Sequence, residues 1–481
     1  MDKAVAAARR GGLSTLRHAV LAPKMESLFI AAVVLFGFRL GARPIGDNSE
    51  FTHLRTGIDM ARTGAIPRTD PYSYSAAGTH WVVQSWLPEW TYGWAYRVGG
   101  FKLVVVEQAV LVAVLAWLVV RLARAGSPLR TALGGIAAVG VGTALWTPRP
   151  LLFGLICMAL TVTITERRQS PWLLVPVVWL WVNSHGSFPL GLAWLGARAL
   201  GEGLDWRAWP REAWSYVGGF VAGLVVAIIN PLGWRLLAFP LTLGSKKAAF
   251  RNIVEWRSPD FSRSGGYVAL AFLALALVLL FRARMSWRDV VPVVSFLAAA
   301  LLAARNIGPL AIVLAPALGR ALRRPESGSD RTSRSSGNPR MNRAVLATIA
   351  AAFVVFGSLI FSSKPIDIVG YPTKSVTWLE QQGLFAVPHR LGHEDFVGNY
   401  LTLRYGRDVK VFIDDRFDMY PLSVSRDYDT LLAGRAGVMD VIDRRQIDVV
   451  LWERKLPLVQ ILEAQGWREA FGEKDYVVLQ R

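Results

Sequence analysis

The sequence predicts a polytopic α-helical membrane protein with a small α/β domain at its C-terminal end, and three observations carry that expectation. Hydrophobic residues make up 53% of the 481-residue chain and fall into runs of near-spanning length. The gaps between the runs alternate between short Arg-rich loops and loops bearing Asp, His, Asn and Trp in compact motifs. From residue 362 onward the hydrophobic runs give way to short β-rich stretches separated by amphipathic ones.

Eleven segments are predicted to cross the bilayer: 25–42, 103–120, 131–147, 150–165, 171–183, 187–200, 214–230, 266–281, 289–304, 306–320 and 344–361, of which the fifth and sixth are the shortest. If all eleven cross, the basic loops 1–24, 121–130, 166–170, 198–213, 282–288 and 320–343 share one side. The positive-inside tendency makes that side cytoplasmic. The formal charge of +19 then belongs to a solvated cytoplasmic face, and nucleic-acid binding is discounted. Residues 1–24 read as a cytoplasmic segment leading into a retained first helix, because Arg43 and Pro44 follow where a cleavage site would need small residues. Residues 321–343, rich in Ser, Gly, Pro and Arg, read as a disordered cytoplasmic linker before the last helix. The single cysteine, Cys157, sits inside an apolar segment and excludes a disulfide or a Cys-based zinc site.

The opposite side carries a long loop, 43–102, several short turns, and the domain 362–481. In that domain 409–413, 448–452 and 476–479 read as strands, and 377–382, 425–432 and 457–465 as helices. In the long loop, Phe51, Leu54 and Ile58 space an amphipathic surface helix, and Trp81, Trp86, Trp90 and Trp94 mark a second interfacial helix. Asp47 and Glu50 form an Asp-x-x-Glu pattern that fits a capping box, and a carboxylate just past the first helix also fits a general base. Asp70 before Pro71 fits a turn. His53 lacks the partner at i+4 that a helical metal site would show.

Short motifs end the other helices on this side: Thr147-Pro148-Arg149-Pro150, Asn183-Ser184-His185-Gly186, Asn230-Pro231, Glu255-Trp256 and Arg305-Asn306. Each alone fits a cap or an interfacial anchor. Together, Arg149, His185 and Arg305 place cations against the positive-inside tendency, which points to an anionic ligand such as phosphate. In the C-terminal domain, Asp414-Asp415-Arg416 follows an expected strand and fits either acceptor or metal binding or a solvated turn.

The pattern Asp47…His53-Leu54-x-x-Gly57…Ile66-Pro67-x-x-Asp70-Pro71-x-Ser73-Tyr74…Trp81…Trp86-Leu87-x-Glu89, with the downstream motifs above, resembles the GT-C glycosyltransferases over roughly residues 25–320. Within them it looks most like bacterial relatives of the protein mannosyltransferases. The resemblance implies transfer of a sugar from a polyprenyl-phosphate-linked donor to a glycan, lipid or protein acceptor of the cell envelope, on the outer face of a bacterial plasma membrane. It nominates Asp47 as general base, with Glu50 as the next carboxylate, and Arg149, His185 and Arg305 near the donor phosphate. His53, Asp70, Asn183, Glu255, Asn306, Asp415 and Arg416 complete the expected substrate-binding set. The family more often pairs its acids, whereas here Asn48 follows Asp47, so a divalent metal is compatible with the pattern but not required by it. Two other readings remain: a transporter or flippase, disfavoured by the absence of visible repeats and by segment interiors nearly free of charge, and a non-catalytic membrane partner with the same architecture.

Overall fold

The computed structural model describes residues 23–143, 146, 149–208, 210–246, 254–262, 264–323 and 338–481. Segment 1–22, Thr147 and Pro148 of the first short motif, and most of the linker (324–337) lie outside the described residues. Among the described residues there are eighteen α-helices and one four-stranded sheet.

Each of the eleven expected segments coincides with a helix. α1 is Met25–Gly41, α2 Asn48–Thr63 and α3 Trp86–Leu122. The bundle continues with α4 (Pro128–Gly142), α5 (Leu151–Glu166), α6 (Leu174–Ser184), α7 (Pro189–Trp206), α8 (Arg211–Val226) and α9 (Arg235–Ser245). It closes with α10 (Ser264–Phe281), α11 (Trp287–Leu302), α12 (Ile307–Ala321) and α13 (Pro339–Ser362). Two of these, α3 and α13, are long and apolar enough by themselves to cross a membrane. α13 is almost entirely unburied by the protein, with Val354, Val355 and Leu359 exposed, and an apolar helix bare on all sides belongs in lipid. The other helices of the bundle are shorter, so eleven crossings remain an expectation.

One helix was not expected. α9 falls inside the stretch read as a single loop, and an extra crossing there would reverse everything after it. Its contacts hold both of its ends against the same part of the molecule. Just before it, the Pro231 carbonyl accepts from Arg68 of the long loop at 2.6 Å. Just after it, Lys246 donates to the carbonyls of Asp418, at 2.5 Å, and Tyr420 in the C-terminal domain. Both ends therefore lie on the face that carries that domain.

The opposite face gathers the basic loops. Glu166, at the end of α5, pairs with Arg198 of α7, Arg288 of α11 and Arg320 of α12, and Arg320 also holds Asp289. Arg124 after α3 reaches Glu26 at the start of α1 at 2.7 Å. Ends expected on one side by their arginines thus meet at one end of the bundle.

α3 is two helices joined at Gly99 and Gly100, the latter with a φ of 63°, which only glycine adopts without strain. Its first part crosses α2 at Gly57 and Gly93, where a Cβ on either residue would lie 2.0 Å from a carbonyl oxygen of the other helix. That approach sets His53 beside Glu89. The tryptophans divide unevenly: Trp94 is exposed, whereas Trp81 and Trp86 are buried in the protein rather than resting at an interface.

The C-terminal domain contains α14 (Thr373–Gln381), β1 (Leu391–His393), α15 (Asp395–Tyr405), α16 (Leu422–Ala433), α17 (Val438–Arg445), β2 (Val449–Glu453), α18 (Pro457–Ala464), β3 (Arg468–Gly472) and β4 (Tyr476–Gln480). The sheet order is β1-β2-β4-β3, with β1 and β2 parallel and the other pairs antiparallel. The expected strand 409–413 is not in this sheet. It bridges instead to the long loop, with Val411 paired to Ser73 and its N–H and C=O bonded to Tyr72 and Tyr74 at 3.0 Å. Its β-rich composition is satisfied across a domain boundary.

Candidate active site beneath the C-terminal domain

Asp47 is the N-cap of α2, and its carboxylate accepts from the Ser49 N–H at 3.2 Å. The box is half-formed: Glu50 does not reach back but turns inward, fully buried, with both carboxylate oxygens lacking a hydrogen-bond partner. Burial, followed by the nearby Asp47 charge, pushes its pKa well above the ordinary range and so favours the protonated form. The remaining oxygen capacity of Asp47 faces Arg149, which enters from the turn before α5. Arg149 donates Nε to Oδ2 at 2.5 Å and an Nη to Oδ1 at 2.6 Å, a bidentate pair. The other side of the same guanidinium meets Glu255 at 2.5 Å.

Glu255 lies on the short helical turn Val254–Trp256. Arg305, on the turn Ala304–Asn306, lies over the Trp256 ring at 4.2 Å, and among the described residues no carboxylate comes within ion-pair distance of it. His185 ends α6, where its Nδ1 accepts from the Ser187 N–H at 3.2 Å. Burial, followed by the Arg305, His53 and Arg149 charges, pushes its pKa down to about 3, so it is a neutral imidazole. His53 pairs with Glu89 at 2.6 Å.

From above, the C-terminal domain contributes Asp415. Its carboxylate accepts from the Ser49 hydroxyl, and its N–H donates to Asn399 at 2.9 Å. Gly398 lets α15 come this close: a Cβ there would lie 1.9 Å from the Ile413 carbonyl oxygen. Asp415 is half-buried, and burial of its carboxyl, followed by the neighbouring Asp395 charge, raises its pKa to about 7.

Four expected site residues are otherwise engaged. Asp70 accepts from the backbone N–H groups of Tyr72 and Ser73 and from Arg416 at 2.7 Å. Arg416 also clamps Asp414 and stacks on Trp81 and Tyr72 at 4.7 and 4.9 Å. Asn183 is buried, with its amide divided between the Trp86 indole and the Trp179 carbonyl. Asn306 donates to the Ala299 carbonyl. The structure thus brings Asp47, Arg149, Glu255, Arg305, His185 and Asp415 around one mouth, while these four hold its walls.

The sequence reading did not single out Ser49, Asn399 or Glu89 as site residues. Glu89 was visible only within the family pattern, and no signal marks Asn399. Among the described residues no three His, Cys, Asp or Glu side chains converge as metal ligands would, and Arg149 occupies the oxygens of Asp47. The residues as arranged do not fit a divalent ion.

A helical bundle whose first inter-helix loop and C-terminal domain close over acidic and basic side chains is a fold shared with solved oligosaccharyltransferase structures. The chain is similar to the oligosaccharyltransferase AglB of Archaeoglobus fulgidus in complex with an inhibitory peptide and a dolichol-phosphate, with a TM-score of 0.51 at 11% identity over 88% of this chain and 69% of that one. The Archaeoglobus fulgidus oligosaccharyltransferase in complex with Zn and sulfate matches at a TM-score of 0.51 and 10% identity, over 88% and 68% of the two chains. No family model matches the sequence, and no curated protein is recognisably similar to it in sequence.

Proposed function

We propose that this chain is an integral membrane glycosyltransferase that moves a sugar from a polyprenyl-phosphate-linked donor to a cell-envelope acceptor on the outer face of a bacterial plasma membrane. The observation that carries this reading is the mouth itself: a guanidinium with no ion pair among the described residues, Arg305, near carboxylates at Asp47 and Asp415, on a fold shared with an oligosaccharyltransferase.

The reaction asks for two things of the protein. The acceptor oxygen attacks the anomeric carbon while the carbon–oxygen bond to phosphate breaks, and the bonding pair leaves with the phosphate. Positive charge fixed where the phosphate charge accumulates lowers that barrier. Arg305 suits this role better than Arg149, whose charge Asp47 and Glu255 already balance. Trp256 holds the Arg305 plane, and neutral His185 adds a polar edge without competing for the anion. The acceptor proton goes to a carboxylate at the mouth.

The test is to reconstitute the protein in liposomes and supply a panel of radiolabelled polyprenyl-phosphate hexoses and pentoses with envelope glycans. Labelled product and released polyprenyl phosphate are expected, with Arg305→Ala raising the donor KM about tenfold or more. Solute flux or lipid translocation without sugar transfer would overturn the reading.

A further inference from the structure

Two carboxylates flank Ser49, and they differ in what they are free to do. We propose that Asp415, reaching down from the C-terminal domain, is the group that takes the acceptor proton, and that Asp47 is a positioning residue that fixes Arg149. This inference rests on the glycosyltransferase reading and names its base.

Asp47 is a poor base where it stands. Both of its oxygens accept from the Arg149 guanidinium, and the Ser49 N–H adds a third bond to the same carboxylate. A carboxylate held this way has both oxygens engaged, so it can take an acceptor proton only by giving up a bond to Arg149. Protonating it would also strand Arg149 with Glu255 as its sole remaining ion-pair partner among the described residues.

Asp415 has the opposite character. Among the described residues its one side-chain hydrogen bond comes from a hydroxyl, and the residue as a whole is half-buried. The chain holds it firmly, through the Asn399 bond to its own N–H and through the Arg416 clamp on the adjacent Asp414. The charged groups that act on it come from every neighbouring element: Asp395 at the start of α15, Asp47 before α2 and Arg149 before α5. Tyr371, ahead of α14, feels the Asp415 charge in turn. Burial most of all, then Asp395 and Asp47, opposes ionisation of Asp415, whereas the Ser49 hydroxyl and Arg149 favour it. The balance leaves it near neutrality, where a general base works best. During transfer the acceptor O–H bond breaks, its proton passes to Asp415, the new glycosidic bond forms, and the phosphate departs with the electron pair.

Ser49→Ala separates the two carboxylates. It removes the hydroxyl that touches Asp415 but keeps the backbone N–H that caps with Asp47. Transfer is measured against pH for the wild type, Ser49→Ala, Asp415→Asn, Asp415→Glu and Asp47→Asn, all reconstituted with the same donor panel. The expected results are an ascending limb near pH 7 in the wild type, displaced to higher pH by Ser49→Ala. Asp415→Asn lowers kcat by roughly 100- to 10,000-fold, and Asp415→Glu recovers part of it. Asp47→Asn raises the donor KM and keeps the limb, displaced to lower pH because the Asp47 charge no longer opposes ionisation of Asp415. A limb that ignores Ser49→Ala but disappears in Asp47→Asn returns the base to Asp47 and overturns the proposal while leaving glycosyl transfer intact. A wild type with no turnover on any donor overturns the glycosyltransferase reading, and this inference with it.

Discussion

Replacing Arg416 by Met tests whether the C-terminal domain is locked to the long loop by a buried ion triad. The guanidinium donates to Asp70 at 2.7 Å and to Asp414 at 2.7–3.1 Å, and it stacks against Trp81 and Tyr72. Both carboxylates have fully buried side chains. Without Arg416 the side chain, Asp70 keeps its bonds from Tyr72 and Ser73, but Asp414 keeps only the backbone N–H of residue 416. Breaking a buried pair from one side costs about 3–5 kcal/mol, because a charge is left without compensation. Asp70 is partly satisfied and Asp414 is not, so the middle of that range is expected. For a domain of this size the loss corresponds to a fall in melting temperature of roughly 10 °C or more. The measurement is thermal unfolding of the full chain in detergent, alongside limited proteolysis of the segment between α13 and α14. Adding Asp414→Asn should restore about half of the loss, since it removes the stranded charge. A melting temperature unchanged in Arg416→Met, with unchanged proteolysis, would refute the lock.

Three further outcomes follow from the geometry. Gly57→Ala drives a methyl group into the Glu89 carbonyl, so the α2–α3 crossing must open, at a cost of about 1–3 kcal/mol or more; unfolding in detergent measures it, and transfer should fall as His53 and Glu89 part. Burial raises the Glu394 pKa to about 8 from an ordinary 4.5, so the folded domain keeps a proton that the unfolded chain releases. Stability therefore declines as pH rises from about 4.5 to about 8, and Glu394→Gln should flatten that decline in a melting-temperature series. Because the one cysteine, Cys157, is buried, single cysteines can report sidedness: an impermeant maleimide added to intact cells should label Lys364→Cys, and label Arg284→Cys only after lysis.

Much of the bundle was legible because hydrophobic runs and Arg-rich turns are strong, local signals. All eleven segments found a helix, and the arginines of three separate loops and helix ends converged near Glu166. α9 escaped because its eleven residues include Pro240 and sit among turn motifs, so neither length nor periodicity announced it. The strand expected at 409–413 shows a different limit: composition asks for extended backbone but does not say which partner supplies the hydrogen bonds. At the site, the choice of residue types nominated groups that the structure brings near one another, yet which of them pair with each other depended on contacts across hundreds of residues. Asp70 and Arg416 look as polar as Asp47 and Arg149 in the sequence; burial and mutual pairing make them a joint instead.

The joining of Ser49 to Asp415 has a consequence in time as well as in space. A ribosome completes every described bundle helix before it makes residue 415, and, if the domain is extracytoplasmic as proposed, it must then cross the bilayer and settle onto the first long loop. On the reading proposed above, a half-synthesised chain can already hold a lipid-linked sugar but has no group to accept the proton. Premature discharge of the donor is thus prevented by the order of synthesis alone.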